Sequence, residues 1–273
     1  MNRIDLHVHT KASDGSCSTE EVVELAKAEG LKAVAITDHD TMQGIPRGPA
    51  DGIEIIPGIE FSTKFKTKVH ILGYFIDPDN AALKAAARSM VDDRDERNEK
   101  VVKLMRSDGI KISYPEMKER FGSVVGRPHF AEVLLEQGVV SSLSEAFKSY
   151  LEKGNKYWVG RTTLSLETCI TLITGAGGVA VLAHPFEYKF ELNSLPELIE
   201  ECMKYGVRGL ECRHSSHSPG QMAYLERLAE EYGLAKTGGS DFHGEMKPDV
   251  RIGTGKGLVC VPYSWLDSLR QKC

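Results

Sequence analysis

Ile4-Asp5-Leu6-His7-Val8-His9 alternates apolar and polar residues with a period of two. That period is the signature of a β-strand with one apolar face and one face of potential ligands. The spacing of two points both histidine rings the same way, at chelating distance. Beyond this strand, Ser18 and Glu21 form a capping box, and Val22, Val23, Leu25 and Ala26 supply a helical stripe that Gly30 can close. Further strands read at 31–37, 53–56, 69–75, 179–183, 207–212, 234–237 and 258–261, with helices at 166–174, 195–205 and 220–232. Strand alternating with helix predicts an α/β fold on a mostly parallel sheet, and seven or so strands favour a closed or nearly closed barrel over an open sheet.

One segment breaks the rhythm. Residues 80–160 hold helical patterns without a convincing strand, beginning with the charge-dense run Asp92 to Lys100. They read as a helical insertion, or cap, in a discontinuous barrel made of residues 1–79 and 161–273. With 273 residues, 41% hydrophobic and 27% charged, the chain is long enough to bury a large core, and collagen-like or disordered readings are excluded. A net charge of −5 provides no global basic field for nucleic acid, so any such contact must be local. No signal-peptide pattern and no long apolar run is present, so the expectation is a cytoplasmic protein without membrane contact. The six cysteines lack any C-x-x-C pair and read as reduced thiols. Two glycine clusters, 175–178 and 253–257, lack the spacing of phosphate-binding loops and read as turns.

The chemistry lies in the nine histidines and their carboxylate neighbours. His7 and His9 lie on the first strand, Asp38-His39-Asp40 follows the second, Glu60 the third, and His184 the strand at 179–183, while Asp241-Phe242-His243 repeats the spacing of two. In a parallel barrel the C-terminal strand ends gather at one mouth, so these distant residues converge. His70 instead sits near the beginning of its strand. A lone buried histidine is more often structural than a ligand, but two such pairs with matching strand-end groups point to a polynuclear metal site. Imidazole mixed with carboxylate and no thiolate suits zinc, manganese or iron.

The blocks Asp5-Leu-His7-Val-His9, Ser13-Asp14-Gly15, Thr37-Asp38-His39-Asp40, Gly58-Ile-Glu60, Val69-His70-Ile-Leu-Gly, Leu182-Ala-His184-Pro185 and Gly239-Ser-Asp241-Phe-His243 resemble, in order, those of the PHP family, named for polymerase and histidinol phosphatase members. The resemblance implies a distorted seven-stranded (β/α) barrel and three divalent metal ions, with manganese favoured over zinc or iron. It implies His7, His9, Glu60 and Asp241 around one ion, Glu60, His70 and His184 around a second, and Asp14, His39 and His243 around the third. Glu60 would then be a bridging catalytic ligand, and Asp5, Asp38 and Asp40 would orient imidazoles or cap strand ends.

Gly126-Arg127-Pro128-His129-Phe130-Ala131 and His217-Ser-Pro-Gly-Gln221 are similar to the TrpH-like branch of that family. This implies hydrolysis of the 3'-phosphate of nucleoside 3',5'-bisphosphates, or 5'-end trimming of short RNA, by attack on phosphorus of a water activated between ions. Arg94, Arg97, Arg127 and His129 would bind substrate phosphate, and His217 would be a phosphate ligand or leaving-group acid. For the run 92–100 the competing reading is a solvated helix face. His214 has no counterpart in the pattern and is left without a role. Alternatives are a phosphatase of a smaller metabolite such as histidinol phosphate, favoured less because a monoester needs fewer anchors, and a non-catalytic metal-dependent binding or regulatory module. No obligate protein partner is expected.

Overall fold

The computed structural model describes residues 2–122, 124–188 and 194–273. The sheet is built from β1 (Arg3–Val8), β2 (Ala33–Ile36), β3 (Glu54–Lys64), β4 (Lys68–Tyr74), β5 (Leu164–Ser165), β6 (Val179–Leu182), β7 (Gly209–His214), β8 (Ala235–Gly239) and β9 (Val261–Pro262). Its order is β8-β7-β6-β4-β3-β2-β1-β9, with β5 attached to β3. Seven of these nine strands form the wall, and β5 and β9 are two-residue additions to it.

The wall curls back on itself at one end. Beyond β8, Val8 forms a parallel bridge with Phe242, the His9 N–H donates to the Phe242 carbonyl (3.0 Å), and the Asp241 N–H donates to the His7 carbonyl (2.9 Å). β9, expected as a strand at 258–261, is shorter and lies antiparallel against the start of β1, with Arg3 opposite Pro262. The sheet is mostly parallel, as expected, but β4 runs antiparallel to both β3 and β6. That reversal accounts for His70: the beginning of β4 meets the ends of its neighbours, and Ser62 faces His70 in register.

Helices cover the wall. α1 (Thr19–Ala28) starts with the expected Ser18–Glu21 capping box. It packs Val22, Val23 and Ala26 against Val34 and Ile36, while Ala33 and Ala35 join Ile4, Leu6, Leu72 and Tyr74 in a separate core. β2 is thus buried on both faces, as strands flanked by helices are. α6 (Leu166–Gly175), α7 (Leu195–Tyr205), α8 (Pro219–Glu231) and α9 (Tyr263–Arg270) complete the layer.

Residues 81–157 hold α2 (Ala81–Ser107), α3 (Tyr114–Phe121), α4 (Arg127–Glu136) and α5 (Leu143–Ala146). Leu83 and Ala87 of α2 join the barrel-side core, whereas Val101, Val102 and Met105 join a second core with Met117, Phe130, Leu134 and Tyr157. This 27-residue helix is therefore a strut between two cores, and Arg94, Arg97 and Asn98 lie buried where it passes from one to the other. No described helix is long and apolar enough to cross a membrane.

Closure of the barrel depends on close backbone approach. A Cβ on Gly239 would come within 2.4 Å of both the Cβ and the backbone nitrogen of His7. Gly239→Ala should therefore cost about 1–3 kcal/mol or more of stability in urea unfolding, the usual scale of overpacking; an unchanged midpoint would contradict this closure.

Candidate active site

The mouth is assembled by strand ends that hydrogen bonds pin in place. Asp5 accepts from the backbone of His7 (3.2 Å), Ser240 (2.9 Å) and Gly253 (2.7 Å), and from the Ser240 hydroxyl (2.5 Å). Asp38 accepts from the Thr10 backbone (2.8 Å) and from the hydroxyls of Thr10 (2.7 Å) and Ser13 (2.5 Å). Both carboxylates cap strand ends, and among the described residues neither bonds to an imidazole. The group that orients one is Glu211 on β7, which the sequence reading missed: it accepts from His7 Nδ1 (2.9 Å) and from the His184 backbone (2.7 Å). Burial works to raise the Glu211 carboxyl, but His7, then His214 and His184, bring it down to about 2.

All nine residues expected as ligands meet at this mouth. His7 Nε2 and His9 Nε2 are 3.1 Å apart and lie 3.5 and 3.4 Å from Glu60 Oε2, with Asp241 Oδ1 3.6 and 3.3 Å away. The other oxygen, Glu60 Oε1, faces His70 Nδ1 (2.6 Å) and His184 Nε2 (2.8 Å). Asp14 Oδ1 approaches His243 Nε2 (3.3 Å), and Asp14 Oδ2 approaches His39 Nε2 (3.9 Å). His39 spans two groups, since its Nδ1 is 2.7 Å from Glu60 Oε2. Asp241 and Asp40 both adopt left-handed backbone (φ 56° and 57°), a cost that clusters at functional sites.

Two features fit this donor set to divalent cations. First, Asp14 Oδ1, His39 Nδ1, Glu60 Oε2, His70 Nε2 and His184 Nδ1 are buried with no hydrogen-bond partner. His39 Nδ1 and Glu60 Oε2 remain unsatisfied although 2.7 Å apart, so that contact lacks the alignment of a hydrogen bond. Second, burial would push the Glu60 carboxyl up, yet His39, His70 and His7 hold it well below its usual range, and burial pushes the His70 ring down to about 3, whereas against burial Glu211 and Glu60 raise His7, and Glu60 raises His39 and His184. Ionised carboxylates and unprotonated imidazoles are the forms that bind metal. Three subsets, His9–Asp14–His39–His243, His7–His9–Glu60 and His39–Glu60–His70, are compact enough to hold an ion, and so is a fourth, His7–His214–Asp241.

Beside the cluster opens a cavity of about 660 Å³, lined by Asp14, His39 and His243 at the metal end and by Lys68, Arg94, Arg97, Arg127 and Arg161 at the other. Asp40, expected to orient an imidazole or to cap a strand end, accepts from the Ser62 backbone (2.8 Å) and pairs with Arg94 and with Arg161 (2.8 Å). These two guanidinium groups hold the Asp40 carboxyl far below its usual value against burial. Among the described residues Lys68, Arg97 and Arg127 make no ion pair, and Arg94 Nε and Arg161 Nη1 are buried without an acceptor. Burial, then Arg127, pushes Lys68 down to about 8. The run 92–100 is thus no uniformly solvated face, since Arg94, Arg97 and Asn98 are buried. Lys68 and Arg161 were not singled out by sequence, and each is an isolated cation there.

His129 and His217 are not brought to this cavity. His129 Nδ1 accepts from the Gly126 N–H (3.0 Å) at the start of α4, and its ring stacks on Phe121. His217 donates from Nδ1 to the Cys212 carbonyl (3.3 Å), and its ring meets Phe186 edge-on.

The PHP domain model matches residues 5–205. A 5'-3' exoribonuclease of Haemophilus influenzae is 34% identical, over 88% of this chain and 90% of that protein. A 3',5'-nucleoside bisphosphate phosphatase of Chromobacterium violaceum is also 34% identical, over 96% and 95%. A solved structure from Bifidobacterium adolescentis, described as a candidate metal-dependent phosphoesterase, superposes with a TM-score of 0.86 at 28% identity, covering 99% of this chain and 96% of that one.

Because its two oxygens serve different groups of imidazoles, Glu60→Gln should lower bound manganese or zinc, measured by mass spectrometry, more than His184→Ala does. Metal content equal to the unsubstituted protein would remove Glu60 from the centre.

Proposed function

The chain belongs to the PHP family, and on that premise we propose that it is a metal-dependent phosphoesterase that removes the 3'-phosphate of nucleoside 3',5'-bisphosphates, or trims nucleotides from the 5' end of short RNA. One observation carries this reading: a wall of five cations, with Arg94 and Arg97 buried, Arg127 and Arg161 half-buried and Lys68 exposed at its rim, opens onto the same cavity as the histidine–carboxylate cluster and is balanced by Asp40 alone among their ion pairs. A substrate with two phosphates satisfies both ends. One phosphate sits at the cluster for hydrolysis while the other rests on the wall.

Three divalent ions, manganese first and zinc or iron as alternatives, are the proposed complement. They would be held by His7, His9, Glu60 and Asp241; by Glu60, His70 and His184; and by Asp14, His39 and His243. When bound, such ions lower the pKa of water and neutralise phosphoryl oxygens. The protein's own residues do the rest. Glu60 ties two ligand groups through one rigid carboxylate, and Glu211 fixes the His7 ring so that Nε2 faces the cluster. Arg127, Arg97 and Lys68 bind the phosphate that does not react, with guanidinium forks suited to two oxygens at once. Arg94 and Arg161, already tied to Asp40, contribute the N–H groups still lacking acceptors. A monoester such as histidinol phosphate would leave this wall uncompensated, which favours the bisphosphate.

Incubation with manganese and adenosine 3',5'-bisphosphate should release phosphate faster than incubation with AMP or histidinol phosphate. Turnover confined to histidinol phosphate would overturn the substrate assignment. Arg127→Ala should raise KM for the bisphosphate about tenfold or more while changing hydrolysis of p-nitrophenyl phosphate little, the mark of lost uniform binding. Equal effects on both substrates would place Arg127 outside the phosphate site.

A further inference from the structure

The chain holds two tryptophans, and the fold uses them differently. Trp265 is partly buried against the barrel, with its ring beneath Arg213 (4.6 Å) and Lys236 (5.5 Å). Trp158 is 37% exposed. Among the described residues that leave a large apolar side chain exposed, it alone lines the cavity shared by the histidine–carboxylate cluster and the cationic wall. Phe147 and Val159, which pack on the cap core, line the same cavity.

The segment that carries Trp158 is anchored on both sides. Tyr157 is buried in the cap core and donates its hydroxyl to Asp108 Oδ2 (2.5 Å) at the end of α2, while Arg161 pairs with Asp40 (2.8 Å) on the barrel. Between them the Trp158 N–H donates to the Asn155 carbonyl (3.1 Å). Gly160 makes room for the indole: a Cβ there would stand 3.2 Å from Trp158 Cη2, tighter than ordinary contact. An aromatic surface is thus held at the cavity by the same residue, Arg161, that helps to form the cationic wall.

The cluster and the wall are each suited to a phosphate, and neither has a use for an indole. A nucleotide brings a third part, a flat base whose π-face stacks on an aromatic ring. We propose that Trp158 is the stacking platform for the base of the substrate, so that the cavity selects nucleotides over base-free sugar phosphates. This rests on the reading of the cavity as a nucleotide phosphoesterase site. Every base has a π-face, so the platform gives a preference for nucleotides without a strong choice among bases.

The test reads the indole itself. Trp265→Phe leaves Trp158 as the one tryptophan, and its fluorescence is followed in the zinc-loaded full chain during titration with AMP, the product of the proposed reaction, and with ribose 5-phosphate. The expected result is saturable quenching by AMP that excess ribose 5-phosphate reverses, with little change from ribose 5-phosphate alone. Calorimetry supplies the second readout. Trp158→Ala should weaken AMP binding roughly 5- to 100-fold, the scale for losing one stacked base, and leave ribose 5-phosphate binding unchanged, whereas Trp158→Phe should recover most of the loss. Emission that is unchanged by AMP, equal affinity of the unsubstituted protein for both probes, or equal losses for both in Trp158→Ala would overturn the base site and leave the phosphate reading standing. Binding of neither probe would overturn both.

Discussion

The structure turns on the Glu60 carboxylate, which is fully buried between two groups of imidazoles. Taking an ionised carboxylate out of water is costly unless charge and hydrogen bonds replace the solvent. Here four rings, His39, His70, His7 and His184, supply that replacement. They arrive from β1, β4, the end of β2 and the end of β6, so the carboxylate can be satisfied only once the wall has closed. Fold and site are therefore specified together. The left-handed backbone at Asp241 and the close packing of Gly239 against His7 are local costs that this closure imposes.

A second dependency links the cap to the barrel. α2 belongs to two cores, and its middle turn delivers Arg94 to Asp40, next to His39 on the barrel side. Arg161, where the chain returns from the cap, meets the same carboxylate. One buried acid thus joins the barrel to the segments that enter and leave the insertion, and in doing so it orders the cationic wall. Displacing the cap would separate the wall from the cluster, so the strut is as much a part of specificity as the arginines it carries.

Much of this was legible in the chain itself. The period of two in Ile4–His9 gave the strand and the shared direction of His7 and His9, and the motif order gave Glu60, His70 and His184. The reversal of β4 was not legible, because an apolar strand of seven residues carries no mark of its direction; His70 at the strand's beginning was the one trace of it. Glu211 was missed although it is a carboxylate set between the apolar Leu210 and Cys212 of its strand, a signal that could have exposed it. His129 and His217, read from the sequence as substrate-binding groups, are turned to backbone partners away from the cavity, an arrangement that depends on which backbone group meets Nδ1 and leaves no mark in the sequence. Lys68 and Arg161 gain meaning only when strand pairing brings them beside Arg127.

The most direct measurement of the central claim is anomalous X-ray scattering at the manganese edge from crystals of the metal-loaded protein. The account predicts peaks at His7–His9–Glu60–Asp241, at Glu60–His70–His184 and at Asp14–His39–His243, with Glu60 shared by the first two. Crystals of active enzyme with no anomalous peak within bonding distance of Glu60 would contradict it.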